Sequence, residues 1–285
     1  MYNLNAHIDD KISKENIVKQ IRRLTEHCII KSVEGKSRLA LALSGGIDSV
    51  VCAWVLKQLG AKFDAYTVHF GEYDYNRKYD LIWARKAAEE IGVNLHEVIV
   101  SVKELDDNFD KILALSKTPS KNKVVSAAGW FFLGRQMKAD GIKTLVCGEM
   151  NDELYASYAI SQKYNYGSDE AYEKHRLSLV RNAEKGLNVY KRMIKHYGIN
   201  MVLPYTDEAY VNFCLTIPGK YRKENKRMKP LFRLAYSGDI SDEILWREKQ
   251  EQGKEVDAYV AEFKQRIKDF YNNANKMKNL LSGKK

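Results

Sequence analysis

The chain has 285 residues, 45% of them hydrophobic and 29% charged, a composition that excludes wholesale disorder and collagen-like structure and allows one large domain or two ordinary ones. The longest apolar stretch, Val124 to Gly134, is too short to cross a bilayer, which takes about 20 residues, and the first ten residues lack a basic segment followed by an apolar one. The net charge of +10, from 47 basic and 37 acidic residues, suits anionic partners such as nucleotides, pyrophosphate or nucleic acid, and equally a solvated lysine-rich surface.

These features predict no membrane partner and a cytoplasmic location. Cys28, Cys52, Cys147 and Cys214 show no paired spacing, so neither a zinc site nor a CxxC redox pair is expected, and reduced thiols are.

Residues 10 to 32 carry Ile12, Ile17, Ile21 and Leu24 at helical spacing. Arg38 to Leu43 is a short, nearly continuous apolar run, as in a parallel strand buried on both faces. Ser44 to Ser49 follows, then a helical pattern from Val50 to Leu59. A second strand is predicted over Phe63 to Phe70 and a helix over Tyr79 to Gly92. A third strand is predicted over His96 to Val100 and, after a polar segment, a helix over Val124 to Ala139 that stops at Asp140-Gly141. The fourth strand is Thr144 to Cys147. Strands alternating with helices predict an α/β fold, a doubly wound parallel sheet. Ligands of such sheets bind at the carboxyl ends of the strands, where Ser44–Ser49, Gly71-Glu72 and Gly148–Glu153 all fall.

Beyond residue 155 the pattern turns mostly helical. Three parts are expected: an N-terminal helical extension over 1–36, the α/β core over 37–155, and a mostly helical region with a basic tail over 156–285, packed on the sheet half.

In Ser44-Gly45-Gly46-Ile47-Asp48-Ser49 the glycines allow close backbone approach to a bulky anion. The helix that follows offers free N–H groups and the positive end of its dipole, and the hydroxyls of Ser44 and Ser49 add donors. Asp48 would repel a phosphate unless Mg²⁺ sits between them, since that ion is typically held by one or two carboxylates plus phosphate oxygens. The bland alternative is a serine-capped glycine turn. The Walker pattern is absent.

The hexapeptide resembles the SGGxDS loop of the PP-loop ATP pyrophosphatase superfamily, whose members cut ATP between the α and β phosphates and adenylate a carbonyl oxygen. Gly148-Glu149-Met150-Asn151-Asp152-Glu153-Leu154-Tyr155 is similar to the GExxDExF segment of the asparagine synthetase family. Leu203 to Asp207 resembles that family's Pro-Phe-Leu-Asp turn. Met228 to Arg233 and Ile244 to Gln250 are similar to its KxxLR and RxK segments. The resemblance covers about residues 37 to 255 and includes the relative β-lactam synthetase.

The resemblance implies a PP-loop ATP pyrophosphatase fold and an ATP-dependent ligase that adenylates a carboxylate and passes it to ammonia or an amine. It places Asp48 and Asp152 on magnesium, and Glu149 beside the acyl-adenylate and the incoming amine. It puts Lys249 and Lys229 on the departing pyrophosphate, and Leu43, Val68, Cys147 and Gly148 around adenosine, with Ser44, Gly45, Gly46 and Ser49 on the phosphates. For Lys229, inside a basic run, a plain surface lysine is the competing reading.

The family's glutaminase domain does not fit in the roughly 36 residues before the first strand, and residue 2 is Tyr. The expected nitrogen source is therefore free ammonia, an amine or a separate glutaminase subunit. The substrate-pocket residues expected before Pro204 are not clear in Tyr190–Leu203, which puts aspartate in doubt. A PP-loop enzyme that modifies tRNA or DNA is the alternative, and a non-catalytic nucleotide-binding module is a third reading. His69 and His96 read as strand-end residues, and His175 and His196 as solvated. Tyr155, Tyr158, Tyr164 and Tyr166 read as core packing or as an acceptor-site wall. Trp54, Trp83 and Trp130 read as core.

Overall fold

The computed structural model describes residues 2–4, 8–71, 77–118, 120–158, 161, 168–221, 228–247, 265–269 and 272. Helix α1 (Lys14–Val33) starts where Ser13 accepts from the Asn16 N–H, and buries Ile17, Ile21 and Leu24 as their spacing predicts. Strand β1 (Leu39–Ala42) is buried along most of its length. Helix α2 (Ile47–Gln58) leads to β2 (Phe63–Phe70), and α3 (Arg77–Ile91) leads to β3 (Leu95–Val100).

The segment read as merely polar holds two helices, α4 (Val102–Asp107) and α5 (Phe109–Ser116). Its sequence contains the reason. Ser101 and Glu104 form a reciprocal capping box, with each side chain bonding the other residue's backbone N–H. Helix α6 (Lys121–Ala139) and β4 (Thr144–Val146) follow, then the short α7 (Asn151–Leu154) and the long α8 (Asp169–His196).

The later half, expected to be mostly helical, also contains a strand that the sequence reading did not pick out. A fifth strand, β5 (Asn200–Val202), pairs in parallel with β4 through Thr144↔Asn200 and Val146↔Val202. Three residues with an exposed first position are too few for a strand period to register in sequence. After a 3₁₀ turn at Pro204–Thr206 come α9 (Glu208–Thr216), α10 (Pro230–Leu234) and α11 (Asp242–Leu245). A helical turn at residues 265–269 seats Ile267 in the core, and Arg266 lies 4.1 Å from the Phe109 ring centroid.

The sheet order is β3-β2-β1-β4-β5, with every pairing parallel. The fold is thus the doubly wound parallel sheet that the alternation predicts. The crossovers through α2 and α3 move outward in one direction from β1. The crossovers through α6 and α8 move in the other, so right-handedness puts the two sets of helices on opposite faces. Helices α1, α2 and α3 pack together, and so do α5, α6 and α8. The direction reverses between β1 and β4, and a ligand crevice opens at such a switch point.

Candidate active site

The loop after β1 must turn sharply into α2 while lying against α3. Gly45 takes φ +68°, and a Cβ there would stand 2.5 Å from the Trp83 carbonyl carbon. Only glycine meets both conditions. Inside the loop the Ser49 hydroxyl donates to the Gly46 carbonyl at 2.9 Å and accepts from the Ser44 N–H at 3.2 Å. The two serines thereby hold the turn as well as offering polar atoms to its mouth.

The loop after β4 closes on the same helix end. A Cβ on Gly148 would lie 3.0 Å from the Asp48 carbonyl carbon and 3.1 Å from the Ser49 nitrogen. The chain then passes through Met150, whose φ of 91° is strained for a side-chain-bearing residue. That turn delivers Asn151 and Asp152. Asn151 is fully buried and bridges two partners: it donates to Asp48 Oδ1 at 2.6 Å and accepts from the Tyr210 hydroxyl at 2.7 Å. Tyr205 donates to the Asp48 carbonyl oxygen at 2.9 Å. Asp48 is therefore held from both its side chain and its backbone.

Lys229 completes the cluster. Its Nζ lies 2.5 Å from Asp48 Oδ2 and 2.7 Å from Asp152 Oδ1, and its side chain is 3% exposed. The reading of Lys229 as a plain surface lysine is corrected on this geometry. Its backbone sits at φ 55°, ψ 46°, directly before Pro230 at the first turn of α10. A residue before proline is driven away from helical backbone angles, so this conformation stores strain. Burial alone would lower the Lys229 pKa, but the charges of Asp152 and Asp48 outweigh it and hold the pKa above the usual lysine value.

These groups line a cavity of about 440 Å³ at the carboxyl ends of β1, β2 and β4. Leu43, Ser44, Gly46, Asp48, Ser49, Val68, Cys147, Gly148, Glu149, Asp152 and Lys229 all border it. Gly45 supports the loop from behind, and Lys249 lies outside the described residues. So do Glu72, Tyr164 and Tyr166. The opposite wall is Val125, Ser126, Gly129, Trp130 and Leu133 of α6 with Tyr190 of α8. The Tyr190 hydroxyl pKa is pushed up to about 12, by burial first and then by the Glu149 charge. The Cys147 thiol is raised by burial and by Glu149, the opposite of an activated cysteine.

Two smaller readings, of His175 and Trp130, change, and Tyr155 packs in the core as read. His175 is not simply solvated: its Nε2 lies 2.8 Å from Ser161 Oγ. Tyr155 packs beside Phe232, with ring centroids 6.0 Å apart, and Tyr158 donates to Glu153 at 2.7 Å. Trp130 borders the cavity instead of serving only the core. Sequence reasoning missed Asn151, Tyr205 and Tyr210, and gave no role to Arg247, Asp80 or Arg233. An amide set between Glu149 and Asp152 was the one available signal for Asn151; the tyrosines act from more than 50 residues away.

Two carboxylates converging on one point of positive charge is the donor set that a magnesium ion shared with phosphate oxygens takes. The oxygens of Asp48 and Asp152 that face Lys229 fit that requirement. Among the described residues, no group of three or more His, Cys, Asp or Glu is arranged to hold a metal by itself.

A family model described as asparagine synthase matches residues 20–188 and 177–283. The chain is 28% identical over 245 residues to the glutamine-hydrolyzing asparagine synthetase of Gallus gallus, covering 83% of this chain and 43% of the relative. It is 27% identical over 241 residues to that of Bos taurus, covering 83% and 43%. The chain thus spans less than half the length of these relatives. Among solved structures, the U34-tRNA thiolase NcsA from Methanococcus maripaludis aligns over 92% of this chain and 88% of its own, at 17% identity and a TM-score of 0.41. With the family match running from residue 20 to residue 283, the chain belongs to the asparagine synthase family.

Proposed function

We propose that this protein cleaves ATP between its α and β phosphates to adenylate a carboxylate, and passes the acyl group to ammonia or an amine. One observation carries the reading. The Ser44–Ser49 loop at the α2 N-terminus, the Asp48–Asp152 pair and Lys229 share one cavity at the topological switch point. A simple nucleotide-binding turn has no need of a buried cation strung between two carboxylates.

The loop N–H groups and the α2 dipole bind the phosphates. Asp48 and Asp152 would hold magnesium, which when bound supplies positive charge to the polyphosphate. A substrate carboxylate oxygen bonds to the α-phosphorus and pyrophosphate leaves with the electron pair. Lys229 stands where that charge develops, with Lys249 as its companion by family resemblance. The nitrogen nucleophile then bonds to the acyl carbon and AMP departs. Glu149, which borders the same cavity as Tyr190, takes the nitrogen's proton. Leu43, Val68, Cys147 and Gly148 line the adenosine end. The wall of Trp130, Tyr190 and Ser126 takes the carboxylate substrate, where aromatic area and hydroxyls favour an acid with an apolar or hydrogen-bonding body.

The net charge of +10 favours one second reading, adenylation of a base carbonyl on tRNA or DNA. The test is pyrophosphate release from Mg²⁺-ATP with a panel of carboxylates, each with ammonium or glutamine, beside tRNA and DNA, with Asp48→Asn as control. Release that needs both an acid and ammonium, and is lost in the variant, is the expected result. Release with nucleic acid alone would move the protein to the second reading. ATP binding without release under any condition would sink both.

A further inference from the structure

The cations around the cavity are engaged in different ways. Arg233 serves the fold: its Nε donates to the Met228 carbonyl at 2.8 Å and its Nη1 to the Leu245 carbonyl. Lys229 is clasped by Asp48 and Asp152. Arg247 is held differently. Its side chain is 7% exposed, and its Nη2 donates at 3.0 Å to Asp80, whose own side chain is 54% exposed. Its guanidinium lies 5.8 Å from the Trp83 ring centroid. The same Nη2 is 3.9 Å from the point where a Cβ on Gly46 would sit.

Gly46 caps the N-terminus of the twelve-residue α2, so Arg247 lies beside the helix end that the proposed reading gives to phosphate. The arrangement is supported from α3. Asp80 and Trp83 are three residues apart and share a helix face, and the α3 backbone at Trp83 and Ala84 abuts Gly45. One helix thus positions the loop, the ring under the guanidinium and the carboxylate that holds it.

We propose that Arg247 is the side chain that grips the β and γ phosphates and then the free pyrophosphate, and that Asp80 holds its Nη2 until phosphate oxygens take over. The inference rests on the ATP-cleaving reading above. In that step the substrate oxygen bonds to the α-phosphorus, the bond to the bridging oxygen breaks, and the electron pair leaves on pyrophosphate. The planar fork of arginine matches two phosphate oxygens, as a lysine ammonium does not. Asp80 is 54% exposed, so water takes up its carboxylate when phosphate oxygens replace it on Arg247. Trp83 holds the guanidinium plane while its partner changes.

The test uses the full chain and measures calorimetric affinity for inorganic pyrophosphate and, separately, for AMP, which lacks the two outer phosphates. Circular dichroism and Tm report folding. Arg247→Lys should weaken pyrophosphate binding about tenfold while AMP affinity stays within about twofold. Asp80→Asn, an exposed and conservative change, should tighten pyrophosphate binding by about two- to threefold. Equal pyrophosphate affinity in wild type and Arg247→Lys overturns the inference, and so does a parallel loss of AMP and pyrophosphate, the mark of a structural role. Weaker pyrophosphate binding in Asp80→Asn overturns the exchange. If wild type releases pyrophosphate from ATP while any of these holds, the parent reading stands and only this inference falls. If wild type neither releases nor binds pyrophosphate, both fall.

Discussion

At the amino edge of the sheet a hollow of about 1400 Å³ is bordered by Lys31, Lys36, Arg38, Lys57 and Lys62. At the carboxyl edge the cavity is about 440 Å³ and holds Asp48, Asp152, Lys229 and Arg247. The larger space is the less informative one. Lys31 and Lys57 lie in the last turns of α1 and α2, where the negative end of each helix dipole favours a cation. Lys57 also donates to the Gly92 carbonyl just past α3, at 2.7 Å. These lysines are exposed, and their charge is screened by water. A parallel sheet collects helix C-termini at one edge and helix N-termini at the other. Positive side chains at the first edge complement the fold. At the second, a lysine only 3% exposed lies between two carboxylates, a placement that complementing a helix end does not call for and that the proposed reaction uses.

The contrast can be broken by four substitutions, which should grade from large to none. Lys229→Met leaves Asp48 and Asp152 facing one another without their cation. Breaking a buried pair costs about 3–5 kcal/mol, read by thermal or urea unfolding, and pyrophosphate release should fall roughly 100-fold or more. A Tm and a rate close to wild type would remove Lys229 from the site.

Asn151→Ala comes next. It removes a donor from Asp48 and leaves the buried Tyr210 hydroxyl without its acceptor, a loss of about 1–3 kcal/mol. It should also raise KM for ATP, because Asp48 loses the donor to its Oδ1; an unchanged KM would make Asn151 purely structural.

Asp207→Ala tests a charge away from the cavity. Asp207 caps α9 through the Ala209 and Tyr210 N–H groups and pairs with Lys31 at 2.8 Å. Burial pushes its carboxyl up, but Lys31 and the two N–H groups prevail and hold it below the usual aspartate value. A depressed carboxylate contributes stability above its unfolded pKa of about 3.9 and loses it as pH falls through the folded value. The variant should be less stable by about 1 kcal/mol at pH 7. The gap should close below about pH 4, with kcat and KM for ATP unchanged throughout. A gap that persists in acid would contradict the assignment.

Lys62→Ala, on the rim of the larger hollow, should shift stability by no more than about 0.5 kcal/mol and leave ATP turnover alone. A marked loss of nucleic acid binding or turnover in this variant would give the amino edge a role that its geometry does not announce.

Period and length made the main elements legible. Leu39 to Leu41 is buried as a continuous apolar run should be, and the α1 and α6 patterns are long enough to be unambiguous. The glycine loop and the acidic segment each carry their chemistry within eight residues, which is why they could be read. What failed was short or distributed. β5 is three residues long, and the α4–α5 pair announced itself only by the Ser101–Glu104 capping box. The family resemblance picked out Lys229, but its basic run left a surface role open, and its burial depends on a strained turn before Pro230.

The sequence by itself determined the alternation of strands and helices, hence a doubly wound sheet, and singled out the residue types proposed to meet phosphate and metal. Those follow from local rules of periodicity, glycine freedom and charge. Tertiary structure alone decided that Tyr205, Tyr210 and Asn151 brace Asp48, that Lys229 is buried between two aspartates, and that Asp80 and Trp83 hold Arg247 over the loop. Each of those contacts joins residues 59 to 181 positions apart, and no local pattern encodes a distance that only the packing of whole elements sets.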